Sequence, residues 1–520
     1  MTKVYRTVFR LLGVWLAGWI YLSWPAIQDD ALIHLRYADN LFLHHFITYD
    51  GVHADYGASS LLYVALLAVL RNFTSSPNLA RATSSVVHGL LFAGLAYALC
   101  FRLPIKARVA RLAGLAMLIL LVMPAAVRWL DDGMETGIAV TFVSLLAWLI
   151  HAEAVRAEAG DERFLRGRYA GVAVLAFLAV MLRTELILLC GISYLILAFG
   201  RRGSNDEVPR WRRLMRPTHL LVGGAAALGV IVATMHVLLP DTAIAKSHGL
   251  SHWFNPIHDT GVTLGGAFSF GVGMLGFWLL TLILALPKSG YGKVSMLLAN
   301  AFFPVVLLLA CLRGQEIQGV RYFAWTLFFP IVWNILERAH MPSAGVPSRV
   351  KGRISVVLLS VFLALLAVET PFEIRAMFHV LTRRSEAMRS FESEHLEVLK
   401  DKRGVASDIG YIGYFTGAKI CDLAGLVNGR DAALMSSVQR NQACMQTNPN
   451  FVFGNVSQLG SLTGLGDFSG WMVCGRYDFT NVRTLDSHYL VVGPALADEV
   501  CRATGAKPEP MSELFVAKSQ

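Results

Sequence analysis

The feature that most constrains this chain is a succession of long apolar stretches divided by short, strongly basic ones. The first, Leu11 to Ile27, follows Lys3, Arg6 and Arg10 and has no small-residue cleavage site after it. It is expected to be an uncleaved first span with its N-terminus in the cytoplasm. Of the 520 residues, 55% are hydrophobic and only 16% charged, with mean hydropathy +0.52. That composition excludes an ordinary soluble globular protein. The formal net charge of +10 bears on topology rather than on nucleic-acid binding, because a basic excess in a membrane protein collects in cytoplasmic loops.

The clear basic loops are Arg102–Arg111, Arg156–Arg168, Arg201–Arg216, Lys288–Lys293 and Arg338–Arg353. Between them lie Gln28–Tyr56, Val127–Thr136, Arg183–Glu185, Asp241–Asp259 and Arg313–Arg321, which hold paired acids, histidines, aromatics and isolated arginines. The two kinds alternate strictly only if Leu61–Leu70 does not cross, and it is short of the about 20 residues a span needs. It is therefore expected to be an interfacial helix. The count becomes about eleven spans, with every chemically rich loop on the extracytoplasmic face.

Hydropathy falls from about Phe372, which divides the chain into a membrane domain, 1–371, and a soluble extracytoplasmic domain, 372–520. In the latter, short apolar runs alternate with turn residues, as in Gly410-Tyr411-Ile412-Gly413-Tyr414 and Tyr489-Leu490-Val491-Val492-Gly493. A small α/β or α+β fold is expected. The domain holds Cys421, Cys444, Cys474 and Cys501, enough for two disulfides in any of three pairings or for free buried thiols. Cys100, Cys190 and Cys311 lie in apolar spans as packing residues.

The densest polar cluster follows the first span: Gln28-Asp29-Asp30-Ala31-Leu32-Ile33-His34-Leu35-Arg36-Tyr37-Ala38-Asp39-Asn40. On a helix, Asp29, Arg36 and Asn40 share one stripe, while Asp30, His34 and Tyr37 share the next. Adjacent carboxylates at a span end are costly unless solvated, paired or functional; the plain alternative is a solvated helix start that gains from the dipole. His34, His44, His45 and His53 offer ligands for a divalent metal, but no spacing matches a tight ligand motif, so no metal ligand is assigned. Arg128-Trp129-Leu130-Asp131-Asp132-Gly133-Met134-Glu135-Thr136 brings further acids to the same face. Arg183-Thr184-Glu185 breaks two short apolar segments, its ion pair being read as structural. Lys246, in Pro240-Asp241-Thr242-Ala243-Ile244-Ala245-Lys246, and Arg321 beside Tyr322 add cations where a phosphate headgroup could sit, although each alone could merely snorkel.

In Asp29-Asp30-Ala31 with Arg36-Tyr37-Ala38 and Asn40, then Gly133-Met134-Glu135-Thr136, Arg183 with Glu185, Pro240 with Thr242 and Lys246, and Arg321-Tyr322, the chain resembles bacterial membrane glycosyltransferases of the GT-C fold. More narrowly, it resembles arabinofuranosyltransferase-like proteins of surface-glycan assembly. The tail is similar to that family's extracytoplasmic domain through Asp408-Ile409-Gly410-Tyr411-Ile412-Gly413-Tyr414 and Asp422-Leu423-Ala424-Gly425-Leu426. Thr184 stands where a proline is expected, and Tyr56-Gly57-Ala58-Ser59-Ser60 replaces a Gly-Tyr-Thr-like turn.

The resemblance implies a multi-pass protein of the bacterial inner membrane that moves a sugar from a polyprenyl-phosphate donor to a glycan, lipid or protein acceptor. The absence of a Gly-rich phosphate loop agrees, because it argues against a nucleotide-sugar donor. Asp29 or Asp30 is expected to engage the acceptor hydroxyl, with Asp29 preferred because Arg36 and Asn40 share its stripe. Lys246 and Arg321, with Arg183, are expected at the donor phosphate. His34, Tyr37, Glu135 and Tyr322 support them. A transporter or lipid flippase is the main rival and would place ionisable residues on interrupted helices in two related halves. No such repeat occurs. A non-catalytic membrane scaffold is the second rival, and it would tolerate loss of both Asp29 and Asp30.

Overall fold

The computed structural model of the chain describes residues 2–53, 55–99, 108–158, 169–199, 214–215, 217–247, 273–285, 291–312, 321–340, 349–394, 396–481 and 484–516. The helical part begins with α1 (Thr2–Ser23), α2 (Asp29–His44), α3 (Leu61–Leu70), α4 (Leu79–Tyr97), α5 (Arg108–Val122) and α6 (Pro124–Leu130). It continues with α7 (Thr136–Glu158), α8 (Tyr169–Leu182), α9 (Ile187–Phe199), α10 (Thr218–Met235) and the single turn α11 (Asp241–Ala245). The last members are α12 (Gly273–Ala285), α13 (Tyr291–Leu312), α14 (Arg321–His340) and α15 (Arg349–Ser393).

Among the described residues, four helices are long and apolar enough to cross a membrane, within α4, α7, α10 and α15. A fifth crossing arises if α5 and α6, bent by 69° at a break before Pro124, are one broken span. The eleven expected spans are not counted by these criteria, and most of the basic loops lie outside the described residues. Ten-residue α3 rises only about 15 Å, half the thickness of the hydrocarbon core. The bundle is tied by helix-on-helix packing of α7 with α14 and α8 with α10. A polar knot joins three helices inside it. Asn300 and Asn334 bond each other at 3.0 Å, Trp278 Nε1 donates to Asn300 at 2.7 Å, and Asn334 Nδ2 donates to Thr281 Oγ1 at 3.3 Å. In lipid such bonds hold helices together because unpaired amides have no water to turn to.

No break falls at Phe372. The helix α15 runs for 45 residues with Pro371 inside it, about 67 Å of rise against a hydrocarbon core of about 30 Å, and its second half carries the chain into the C-terminal domain. There the elements are β1 (Arg403–Ala406), α16 (Ile409–Thr416), β2 (Lys419–Asp422), α17 (Arg430–Leu434), α18 (Ser437–Gln446) and β3 (Phe451–Asn455). Then come β4 (Met472–Asn481), β5 (Thr484–Val492) and β6 (Glu509–Pro510), with short helices between.

The six strands form one mixed sheet in the order β2-β1-β3-β5-β4-β6, parallel where β1 meets β2 and β3 and antiparallel beyond. An α/β domain results. Period-two alternation gives the sheet two buried faces. Val405, Val452 and Val491 pack with Leu459 and Leu462 on one face. Phe451, Phe453, Leu490 and Val492 turn to the other and join the core that continues into the helical part. Phe391 of α15 stacks there on Tyr411 and Tyr477, with ring centroids 5.4 and 4.4 Å apart.

Of the three possible pairings, the chain adopts Cys421–Cys444 and Cys474–Cys501, while Cys190 is a free buried thiol. A thiol label is expected to enter the four tail cysteines only after reduction and denaturation. Labelling of all four in denatured, unreduced protein would refute both bridges.

Candidate active site

The two carboxylates that open α2 diverge. Successive helical residues point about 100° apart, and the C-terminal domain sits in one of those directions. Asp29 accepts hydrogen bonds from the main-chain N–H groups of Gly410 (2.9 Å) and Tyr411 (2.7 Å), so it caps the start of α16 from another domain. The residue before α16, Asp408, makes no capping bond and pairs with His488 instead. Burial, followed by the like charges of Asp408 and Asp30, raises the Asp29 carboxyl to about 8, although the two N–H groups favour its charge.

The remaining members of the first stripe serve the same contact. Arg36 donates to Tyr49 O (2.8 Å), to Ala418 O (2.7 Å) and to Gly413 O, with its guanidinium 4.4 Å from the Tyr49 ring centroid. Asn40 Nδ2 donates to Thr48 O and Tyr49 O at 3.0 and 2.8 Å. The expected Asp29–Arg36–Asn40 arrangement around an acceptor is therefore not formed, because all three bind backbone that lies beyond the helix. Tyr37 does not bond Asp30 either; its hydroxyl donates to Asp55, which also accepts from Tyr49 N and Gly57 N at 2.8 and 3.1 Å. Burial raises Asp55 to about 7.

Glycine makes the docking possible. A Cβ on Gly410 would lie 1.9 Å from Asp29 O, and one on Gly413 would lie 1.9 Å from Tyr49 Oη. The pair stands three residues apart on α16, which puts both on the face that meets α2. Tyr411 completes the seat, its hydroxyl donating to Ile27 O at 2.5 Å.

Asp30 points the other way, into a cleft that it lines together with His34, Ser59, Arg183, Glu185 and Lys246. His34 Nδ1 lies 3.0 Å from the main-chain oxygen of Asp30. A carbonyl only accepts, so Nδ1 carries a proton and Nε2 is left facing Ser59 Oγ at 3.4 Å and Glu135 Oε2 at 3.8 Å. Glu135 Oε1 accepts from Ser59 Oγ (3.2 Å) and from Arg183 Nη1 (2.9 Å). Arg183 also stands 3.8 Å from Glu185 and 5.3 Å from the Trp325 ring centroid. The ion pair read from sequence as Arg183–Glu185 is thus chiefly Arg183–Glu135. The turn that delivers Glu135 needs glycine. Gly133 has φ +92°, and a Cβ there would come 2.8 Å from that of Ala31.

Lys246 ends the short segment after α10. That segment is held by paired bonds, Asp241 N to Tyr56 O (2.8 Å) and Tyr56 N to Asp241 Oδ2 (3.2 Å). Arg321 opens α14 with Tyr322 beside it; their side chains lie outside the described residues. Among the described residues no group of three or more His, Cys, Asp or Glu is arranged to hold a metal. Of the four clustered histidines only His34 lines the cleft, while His53 bonds Asp50 at 2.8 Å. Ser59 and Leu426 line the cleft without having been singled out for it from sequence. Leu426 lies within a segment that carries the family resemblance, whereas Ser59 lies in the turn that departs from it, so only Leu426 had a signal in its setting.

Two solved structures share this arrangement of helical bundle and C-terminal sheet. ArnT from Cupriavidus metallidurans bound to undecaprenyl phosphate matches with TM-score 0.51 and 11% identity, covering 94% of this chain and 98% of that one. The same protein in the apo state matches with TM-score 0.52 and 10% identity, covering 98% and 99%. The chain has the ArnT fold. No family model matches it, and no curated protein matches it in sequence. Because the match to ArnT spans nearly the whole of both chains, the C-terminal domain is part of the shared architecture rather than an appended module.

Proposed function

We propose that the chain is a membrane glycosyltransferase that takes a sugar from a polyprenyl-phosphate donor and passes it to a hydroxyl of a glycan, lipid or protein. The observation that carries this reading is the meeting of the Asp30 carboxylate with two cations, Lys246 and Arg183, in one cleft that Glu185 also lines. That cleft belongs to a fold shared with a protein captured with undecaprenyl phosphate. Asp30 takes the proton of the acceptor hydroxyl while its oxygen attacks the anomeric carbon. The bond from that carbon to the phosphate oxygen breaks, and the polyprenyl phosphate leaves with one more negative charge. Lys246 and Arg183 neutralise that charge, Arg321 adds to them from the start of α14 with Tyr322 beside it, and Glu135 holds Arg183 in place. Asp29 becomes a positioning residue.

The two disulfides support an oxidising compartment for the C-terminal domain, hence an active face outside the cytoplasm of a bacterial inner membrane. An arabinofuranosyl donor is the first sugar to test, on the sequence resemblance. The deciding experiment incubates purified protein with a panel of synthetic polyprenyl-phosphate sugars and an acceptor extract and follows released polyprenyl phosphate. No release from any donor overturns the proposal. Within it, Lys246→Ala is expected to weaken donor binding about 10- to 100-fold, the worth of a charge-assisted hydrogen bond, while the protein stays folded. Unchanged affinity would return Lys246 to a snorkelling role.

A further inference from the structure

One wall of the cleft does not come from the helical part. Leu426 lines it, at the tip of the segment between β2 and α17. That segment is held firmly without regular structure. The fully buried carboxylate of Asp422 accepts from Ala424 N (2.8 Å) and Leu426 N (2.6 Å). Asp422 N donates to Asn428 Oδ1 and Asn428 Nδ2 returns to Asp422 O, both at 2.9 Å. Arg440 of α18 grips it from outside, Nε donating to Leu423 O at 3.1 Å, and the Cys421–Cys444 bridge ties its base to the same helix.

The segment also seats directly on the membrane part. A Cβ on Gly57 would lie 2.3 Å from Leu426 O and 2.9 Å from Val427 Cγ1. At its far end Arg430 donates to Leu239 O at 3.2 Å and stands 3.8 Å from Asp241, on the stretch that carries Lys246. A wall pinned in this way cannot yield as a free loop would, so the volume of the side chain at its tip becomes volume denied to the ligand.

We infer that the Asp422–Arg430 segment is the specificity wall of the cleft, with Leu426 setting the size of the sugar that fits beside Asp30 and Lys246. The inference rests on the proposed donor chemistry. The test uses full-length protein with polyprenyl-phosphate pentofuranose and polyprenyl-phosphate hexopyranose and compares kcat/KM for the two. Leu426→Ala is expected to shift the ratio about tenfold toward the larger sugar and Leu426→Phe about tenfold toward the smaller, the scale of a few carbons in a close apolar contact. Leu434→Ala, on the exposed side of α17, is expected to leave the ratio unchanged. If Leu426→Phe fails to fold, Leu426→Ala alone decides. Wild-type activity with the same ratio in every folded Leu426 variant overturns the wall and leaves the transferase standing. A wild type that releases polyprenyl phosphate from neither donor, nor from any in the wider panel, overturns both.

Discussion

Asp30→Asn is expected to lower turnover by about 10²- to 10⁴-fold, the usual worth of a general base, with donor binding little changed. The substitution is nearly isosteric and removes only the charge and the proton-accepting oxygen. Asp30 lines the cleft with Lys246 and Arg183, so the loss should appear in the chemical step. Asp29→Asn is expected to behave differently, because that side chain caps α16 with both of its oxygens. An amide can accept only one of the two N–H groups and turns a donor toward the other, which loosens the contact between domains. Turnover should fall by less than for Asp30→Asn, with greater protease sensitivity near α16. The Asp29 carboxyl is raised to about 8 when docked, above the ordinary carboxylate value of about 3.9, so the docked state holds a proton that the undocked state releases. Its contribution is full below the ordinary carboxylate range and is lost as pH rises through about 8. Asp29→Asn should flatten that dependence. Near-normal turnover in Asp30→Asn together with a dead Asp29→Asn would reverse the two assignments.

The second large effect is expected at α16. Gly413→Ala would place a carbon 1.9 Å from Tyr49 Oη and 3.0 Å from Arg36 Nη1, and Gly410→Ala would place one 1.9 Å from the main-chain oxygen of Asp29. Either helix or partner must shift. Overpacking of this kind costs about 1–3 kcal/mol, and here the shift also breaks the bonds of Arg36 and Asp29. Gly410→Ala should be the worse of the two, because its obstacle is backbone rather than the end of a side chain. A fall in thermal stability and in transferase rate together is the expected result. Gly464→Ala is the comparison in the same domain, since a Cβ there meets nothing within 4 Å. Equal behaviour of Gly410→Ala and Gly464→Ala would show that α16 does not depend on close approach to α2.

Some of this was legible in the residues themselves. The membrane class follows from composition, since apolar stretches of such length have no soluble fold to enter. Leu61–Leu70 was too short to cross on length alone, and the structure has a helix with those bounds. The alternation in the tail announced a sheet, and its four cysteines permitted two bridges, because local pattern encodes local geometry. The eleven spans were a count of apolar runs, whereas the described helices that meet both length and composition number four, or five with α5 and α6 as one span broken before Pro124. The boundary at Phe372 followed hydropathy, which falls inside α15 rather than at its end.

The sequence by itself determined which segments carry the candidate chemistry: the acids that open α2, the Glu135 turn, the Arg183 break and the stretch ending in Lys246. It determined the divergence of Asp29 and Asp30 as well, because neighbours on a helix cannot share a direction. Which of the two looks into the cleft was decided only by the tertiary structure. The partners of Asp29 lie 381 and 382 residues away, and nothing in a local pattern states where so distant a helix will dock. The same holds for Arg36, whose stripe suggested a partner for Asp29 and whose bonds go to Gly413 and Ala418, and for Leu426, brought to the cleft by a domain that comes last along the chain. Periodicity fixes the direction in which a side chain points, and only packing decides what stands there.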